Sequence, residues 1–489
     1  MTIPALPVTI DIATVKATRN GGVGPAEPYL LTVFFKVDGE TTKIIHRRDG
    51  KLALSGDPLV RRTDSRHGNL PPIRDGQTVA VPDKVGRTTF ALQPIPLPGA
   101  LGEAVVGGAS GIAGVVYVLA EADNSPDDAI AAGYDALVDQ LTVELRSLVR
   151  SVVVDPVAPG ASPFTMSEAV KERITERITA KVKQAVKAAS GPFQRFAQLL
   201  NKDDIIGNDV LLFTESGLLA DRAPSDSRRF RGAGVRGDWT LAWSAAATVP
   251  PDFGRRRRVT FDLAKLTCES AGEAGGDEPY LWTVFFTIDG TTVSLRDDLR
   301  LRGSAALTTT PGSHGNLGAG GVGAGETIQI PDAVGRTTVI LDLVKFPASL
   351  SGALVGGVSG AAGCVSVLLE QDLVAAGAAE AGHQAFNAEV KRVLDELIAT
   401  LGVGNVAPSP DDLAALSGPI GDKVRQAILE EGNVLQDVFA GVDPDDVVGF
   451  NVFLFTHRAL LADPSATITA TYGQAGRYQL TGTVSAVPA

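Results

Sequence analysis

A chain of 489 residues in which apolar side chains are plentiful and aromatics few is long enough for about two to four domains, each with a core of Val, Leu, Ala and Gly. Its net charge of -12 at pH 7 repels phosphate backbones and excludes a general nucleic-acid binder. Cys268 and Cys364 are the only cysteines, too few for a disulfide framework or a four-thiolate metal site, and they read as buried free thiols.

In chain order, the start Met1-Thr2-Ile3-Pro4 lacks the basic and long apolar regions of a secretory signal, so the expected compartment is the cytoplasm. Glu27-Pro28-Tyr29-Leu30, then Thr32-Val33-Phe34-Phe35 and Asp38-Gly39, return as Glu278-Pro279-Tyr280-Leu281, Thr283-Val284-Phe285-Phe286 and Asp289-Gly290. His67-Gly68-Asn69-Leu70 returns as His314-Gly315-Asn316-Leu317, and Val105-Val106-Gly107-Gly108 as Leu354-Val355-Gly356-Gly357. Such self-similarity marks one unit used twice. The expected modules are 1–250 and 257–489, joined near Pro250-Pro251 and the basic run Arg255 to Arg258.

Within each module, short runs rich in Val, Phe and Thr end at turn signals, the pattern of an antiparallel sandwich. Leu97 to Leu119 and Phe346 to Leu369 are apolar enough to resemble membrane spans. Their glycine density, and Glu103 in the first, favour buried strands joined by a glycine turn, and no transmembrane span is expected. From Ile130 the period changes: Tyr134, Leu137, Val138, Leu141, Leu145 and Leu148 fall at helical spacing, followed by Val170, Ile174, Ile178, Val182 and Val186. Phe386, Val390, Val393, Leu394, Leu397 and Leu401, then Leu416, Ile420, Val424 and Ile428, do the same. Prolines separate the helices of each pair, so a helical hairpin is expected at about 125–200 and about 373–442, interrupting a β-domain whose last strands follow it.

Acids flank each hairpin. Before it stand Glu121-Ala122-Asp123 and Glu370-Gln371-Asp372; after it come Asp203-Asp204-Ile205-Ile206-Gly207 and Asp445-Asp446-Val447-Val448-Gly449. Oxygen ligands on loops at one end of a sandwich suit calcium, which takes about six to eight oxygens; the alternative is that they solvate ordinary loops or cap turns. Gly276-Asp277-Glu278-Pro279-Tyr280-Leu281 resembles the Ser-Asp-Pro-Tyr-Val signature of C2 domains, the calcium-dependent phospholipid-binding sandwiches, and the Glu-x-Asp pairs and the Asp-apolar-apolar-Gly strings resemble the two sides of their third calcium loop. The resemblance implies calcium ligands at Glu278, Glu370, Asp372 and Asp446 in the second module and at Glu27, Glu121, Asp123 and Asp204 in the first, with Asp277 or Glu273 as a first-loop acid that Gly21 to Ala26 lack. This chain departs from the family in placing Glu for Asp before Pro and after the strand, and in carrying a long hairpin where the family has a short loop.

No enzyme motif stands out. His67 and His314 lie in turn-like settings, Gly318 to Gly325 lacks the Lys-Ser or Lys-Thr of a phosphate loop, and Ser110 and Ser359 fail the nucleophile-elbow pattern. The basic amphipathic stretch with Lys171, Arg173, Arg177, Lys181, Lys183 and Lys187 reads as the solvated face of a packed hairpin. The expected fold is therefore mainly β with α insertions: two tandem antiparallel C2-like β-sandwiches, each with an inserted helical hairpin. The expected function is non-enzymatic binding of calcium through acidic loops, engaging an anionic phospholipid surface or a protein partner. The alternative is a self-associating scaffold whose hairpins make the oligomer contacts.

Overall fold

The computed structural model describes residues 4–46, 52–66, 68–98, 105–122, 127–151, 153–154, 205–231, 237–250, 256–273, 275–298, 300–318, 320–352, 354–371, 376–400, 447–473 and 476–489. The first half contributes β1 (Leu6–Arg19), β2 (Pro28–Val37), β3 (Thr42–His46), β4 (Leu52–Gly56), β5 (Leu59–Arg62), β6 (Thr78–Ala80), β7 (Arg87–Leu92), β8 (Val105–Ala109), β9 (Ile112–Glu121), β10 (Val153–Val154), β11 (Ile205–Thr214), β12 (Ser225–Phe230) and β13 (Asp238–Ala247). The second contributes β14 (Arg256–Ser270), β15 (Pro279–Ile288), β16 (Val293–Leu295), β17 (Leu301–Gly303), β18 (Ala306–Thr309), β19 (Thr327–Gln329), β20 (Arg336–Asp342), β21 (Val344–Lys345), β22 (Leu354–Val358), β23 (Ala361–Glu370), β24 (Val447–Thr456), β25 (Ser465–Tyr472) and β26 (Arg477–Pro488).

Each half is an antiparallel sandwich. In the first, β12-β13-β1, with β6 and β7 sharing the free edge of β1, faces β11-β9-β2-β5; in the second, β25-β26-β14, with β19 and β20, faces β24-β23-β15-β18. The sequence repeat is thus a repeat of topology. β1 shows why such strands form: Leu6, Val8, Ile10 and Ile12 turn into the core while Thr9 and Asp11 between them are less buried, the alternation of a sheet with one wet face.

β2, β9, β15 and β23 break that alternation, being buried at every position. Leu30 and Phe34 face the opposing sheet, whereas Leu31, Val33, Phe35 and Val37 face a second cluster on the other side. A long helix, Asp127–Ser151, supplies that cluster through Ile130, Tyr134, Leu137, Leu141, Leu145 and Val149. Ala376–Thr400 repeats the arrangement with Phe386, Val390, Leu394 and Ile398. Each half is therefore sheet, sheet, helix. Tyr134 Oη ties the first helix down, donating to Thr32 O at 3.0 Å and accepting from Thr63 N at 2.7 Å. Asp395 ties the second, accepting from Ala305 N and Ser304 Oγ at 2.9 Å each. The second helix expected in each hairpin, with its basic face in the first half, lies outside the described residues.

The stretches that resemble membrane spans are strands, Val105–Ala109 with Ile112–Glu121 and Leu354–Val358 with Ala361–Glu370. No helix among the described residues is long and apolar enough to cross a membrane. The glycines have a role beyond a turn: β8 pairs with β22 across the two halves, antiparallel, with Gly107 opposite Gly356, Val105 opposite Val358 and Ala109 opposite Leu354. Gly107 and Gly356 are equivalent positions of the repeat, so a local two-fold axis passes between them, as in an isologous dimer contact. Their φ angles are +126° and +98°; a Cβ on Gly107 would strike the carbonyl of Val355, and one on Gly356 that of Val106.

Candidate functional site

Strand register decides whether the acids on either side of the insertion meet. In the first half Pro28 pairs with Glu121, Ala122 N donates to Glu27 O at 3.0 Å, and Ile205 pairs with Ala120. In the second, Pro279 pairs with Glu370, Gln371 N donates to Glu278 O at 3.0 Å, and Val447 pairs with Leu369. The Glu-Pro-Tyr strand, the Glu-x-Asp strand and the strand after the insertion thus end side by side, about 5 Å apart. The insertion leaves from and returns to neighbouring strand ends.

The first and second loops close over the same end. Asn69 accepts from Leu30 N at 3.0 Å and donates to Leu30 O at 2.7 Å; Asn316 does the same to Leu281 at 3.0 and 2.8 Å. An amide side chain in each His-Gly-Asn-Leu string therefore stands in for a missing strand neighbour. Between the loops, Ala26 bridges Ile73 and Asp277 bridges Val322.

The candidate ligands differ in setting. Glu27 and Glu278 are exposed, whereas Glu121 and Glu370 are only 8% and 6% exposed, on the strand face that Leu119 and Leu368 turn to the inter-sheet core. Asp277 is buried and committed to its own loop: it accepts from Gly272 N at 2.9 Å, Glu273 N at 3.0 Å and Tyr478 Oη at 2.6 Å. In the first half Asn20 organises the loop instead, donating from Nδ2 to Gly24 O at 2.5 Å and accepting from Gly22 N at 3.1 Å. Asp123, Asp204, Asp372 and Asp446 lie outside the described residues. Among the described residues no three His, Cys, Asp or Glu side chains stand close enough to hold a metal ion. The donors that are described at the loop end are carboxylates and backbone carbonyls, the hard oxygens that calcium takes.

The strings after the insertion have a packing role as well. Gly207 and Gly449 sit at breaks in register beside Ala120 and Leu369, the mark of β-bulges. A Cβ on Gly207 would run into the ring of Phe230, and one on Gly449 would come within 3.1 Å of Tyr472. The closing Phe-Thr pairs are explained too: Thr214 accepts from Gly217 N at 3.0 Å and Thr456 from Ala459 N at 3.1 Å, capping the short helices Glu215–Ala220 and His457–Ala462. Ser110 and Ser359 accept from Ser216 N and Arg458 N at the same helix starts, at 3.0 and 3.2 Å.

Sequence reading missed a fully buried carboxyl in the first half. Glu215 is fully buried, and burial pushes its carboxyl up to about 8, opposed by the Gly111 N–H it accepts at 3.2 Å and reinforced by Asp38. Its neighbours in the chain are polar and short, so no apolar period announces it. Cys268 and Cys364 are buried free thiols, and burial raises both above the ordinary thiol range.

No protein-family model matches the chain, and no curated protein matches it in sequence. Among solved structures, it is similar to human GIVD cytosolic phospholipase A2 at 7% identity and a TM-score of 0.18, over 100% of this chain and 33% of that one. It is similar to extended-synaptotagmin 2, in a structure holding the SMP domain and both C2 domains, at 6% identity and a TM-score of 0.18, over 100% of this chain and 58% of that one. It is also similar to the calcium-bound pair of C2 domains of extended-synaptotagmin 2 at 6% identity and a TM-score of 0.18, over 99% of this chain and 97% of that one. The chain thus spans about a third of the first of these and little over half of the second. At such TM-scores the superpositions are loose, and the fold described above rests on strand pairing alone.

Proposed function

We propose that the chain is a non-enzymatic binding protein of two C2-like modules whose loop ends take calcium and, through it, an anionic phospholipid surface. One observation carries this reading: in both halves the strand register sets the Glu-Pro-Tyr loop beside the two strand ends that bound the insertion. Glu27 and Glu278 are accessible there, and Asp123, Asp204, Asp372 and Asp446 follow or precede the paired residues by at most three positions. Bound calcium would offset the carboxylates and leave coordination positions for lipid phosphate oxygens.

The test is thermal melting with and without calcium. A cation that binds only the folded chain stabilises it by about 2.7 kcal/mol at a hundredfold excess over its Kd. The expected result is a rise in Tm in millimolar calcium, reduced in a chain carrying Glu278→Gln and Asp372→Asn. An unchanged Tm for the wild type would remove calcium from the proposal. A self-assembling scaffold is the second reading, favoured by the β8–β22 contact, in which one sandwich binds a repeat of itself. Sedimentation of the full chain decides it, since a monomer at all concentrations leaves no assembly.

A further inference from the structure

The two halves treat one sheet edge in opposite ways. In the first half the sheet of β1 ends at β12, whose exposed residues include Asp226, Arg228 and Arg229. Ser227 N donates to Asp226 Oδ1 at 2.7 Å, Arg229 holds Asp238 through bonds of 2.8 and 2.5 Å, and Arg228 reaches Asp209 of β11, the edge of the opposing sheet, at 3.4 Å. Charges placed in this way keep a sheet edge from pairing with another chain. In the second half the sheet of β14 ends at β25, Ser-Ala-Thr-Ile-Thr-Ala-Thr-Tyr, with no charge, no proline and no glycine. The edge of its opposing sheet, β24, is equally uncharged. Among the described residues no strand pairs with the outer edge of β25.

The pairing with β26 fixes what that edge presents. Ala486 N donates to Pro464 O at 2.8 Å, and the register then runs without a break from Ser465 opposite Ser485 to Tyr472 opposite Tyr478. In such a ladder alternate residues turn their backbone groups to the partner strand. Ala466, Ile468, Ala470 and Tyr472 therefore bond β26, and Ser465, Thr467, Thr469 and Thr471 turn their N–H and C=O groups to the free edge. The side chains of Ile468, Ala470 and Tyr472 enter the core, while those of the three threonines are exposed on the wet face. At the two ends of the edge, Ser465 N is taken by Asp463 Oδ1 at 3.2 Å and Thr471 O by Asn451 Nδ2 at 3.3 Å.

We infer that β25 is an interface on which two copies of the chain pair antiparallel, each Thr469 opposite its counterpart across a two-fold axis, so that one sheet runs through both molecules. This goes with the self-assembling reading above, to which it gives a surface, and needs neither calcium nor lipid. A second copy is the occupant because the edge is complementary to itself. With Thr469 on the axis, Thr467 stands opposite Thr471 of the other copy, and all three pairs have their backbone groups turned outward, as a bonded antiparallel ladder requires. Threonines directly opposite each other on the wet face add favourable cross-strand contacts. A net charge of -12 keeps copies apart over most of the surface, and the neutral side formed by β24 and β25 is where they can meet. The chain already joins equivalent strands in this manner: at the junction of its halves β8 pairs with β22 about a two-fold axis, and Ser216 Oγ donates to Gly352 O at 2.8 Å beside them.

Sedimentation of the full chain over a range of concentrations, without calcium, tests the pairing, and the wild type is expected to form a dimer. Thr469→Lys changes an exposed side chain, sets two like charges against each other on the axis, and is expected to weaken the dimer about tenfold or more. The added lysine also lowers the net negative charge, which by itself favours association, so a loss is specific to the edge. Thr467→Lys with Thr471→Glu sets opposite charges across the same axis and is expected to dimerise as the wild type does. Far-UV circular dichroism is expected to be the same for all three chains. A dimer that Thr469→Lys leaves intact overturns the inference and leaves self-assembly to another surface. Loss of the dimer in both variants alike overturns the register and with it the inference. A wild type that is monomeric at every concentration overturns both the β25 interface and the self-assembling reading.

Discussion

Where the first sandwich buries Glu215 beneath the helix at the junction, the second buries His457 at the equivalent place. Where the first has Lys36 bonded to Asp38 at 2.9 Å and to Ala91 O at 2.9 Å, the second has Thr287; both aspartates keep the same backbone donors, Glu40 N and Gln93 N for Asp38 and Thr291 N and Asp342 N for Asp289. Tyr117 meets Phe230 edge to face at 6.3 Å in the first half; in the second a serine, Ser366, shares a 2.7 Å hydrogen bond with Tyr472. The aromatic hydroxyl has moved from one sheet to the other. Other positions perform one task in both halves: Asn69 and Asn316 complete a strand edge, Gly207 and Gly449 admit a ring, and Gly107 and Gly356 let two backbones touch. The positions held in common serve the backbone, and the positions that differ are interior side-chain pairs, which can be exchanged provided volume and hydrogen bonds are replaced together.

That contrast can be broken most severely at the ribbon. Gly356→Val puts a branched side chain at φ +98° against the Val106 carbonyl, with an expected cost above about 3 kcal/mol. Gly318→Ala, at φ +67° with open space around it, should cost about 1 kcal/mol. Calorimetry of the two variants would show the difference, and equal melting temperatures would deprive the ribbon of its role.

Glu215 comes next. Its carboxyl stays protonated in the folded chain up to about 8, against an ordinary value of 4.5, so its contribution to stability is fully present below pH 4.5 and is lost as pH rises toward 8. Glu215→Gln cannot ionise in either state and should therefore gain about 3 kcal/mol over the wild type at pH 7 while gaining almost nothing at pH 4.5. A gain that does not vary across this window would show that the carboxyl is not held neutral.

The smallest effect sharpens the exchanged pair. Tyr117 Oη is buried and has no hydrogen-bond partner among the described residues, and burial raises its pKa. Tyr117→Phe is expected to be neutral or to stabilise slightly, whereas Tyr472→Phe removes the 2.7 Å bond to Ser366, leaves that hydroxyl only Asn451 O at 3.4 Å, and should cost about 1 kcal/mol. Urea melts of both variants test this; equal costs would mean that the two hydroxyls are equivalent after all.

Much of the architecture was legible in the chain because it is written in local periods. The Val- and Phe-rich run Thr32-Val33-Phe34-Phe35, ending at Asp38-Gly39, and the helical spacing of Tyr134 to Leu145 each depend on neighbours within one element. What escaped depends on partners far away in sequence. The Gly-Gly strings read as turns because nothing local shows that Gly107 faces Gly356. His-Gly-Asn-Leu reads as a turn, and only the fold reveals Asn69 holding Leu30. At the loop ends, the order of the acids was readable and their adjacency follows from register, but Asp277 looks like any first-loop acid until Tyr478, some two hundred residues later, is seen to donate to it.

The pseudo-symmetric ribbon also bears on how such a chain changes over generations. In a dimer of identical subunits, every substitution at a two-fold contact is felt twice, so a charge tolerated on one side must be tolerated on the other. Two sandwiches on one chain escape that rule: a glutamate can enter one side of the junction while a histidine enters the other, and each change is judged alone. Internal duplication leaves the symmetric contact in place and gives its two sides separate histories.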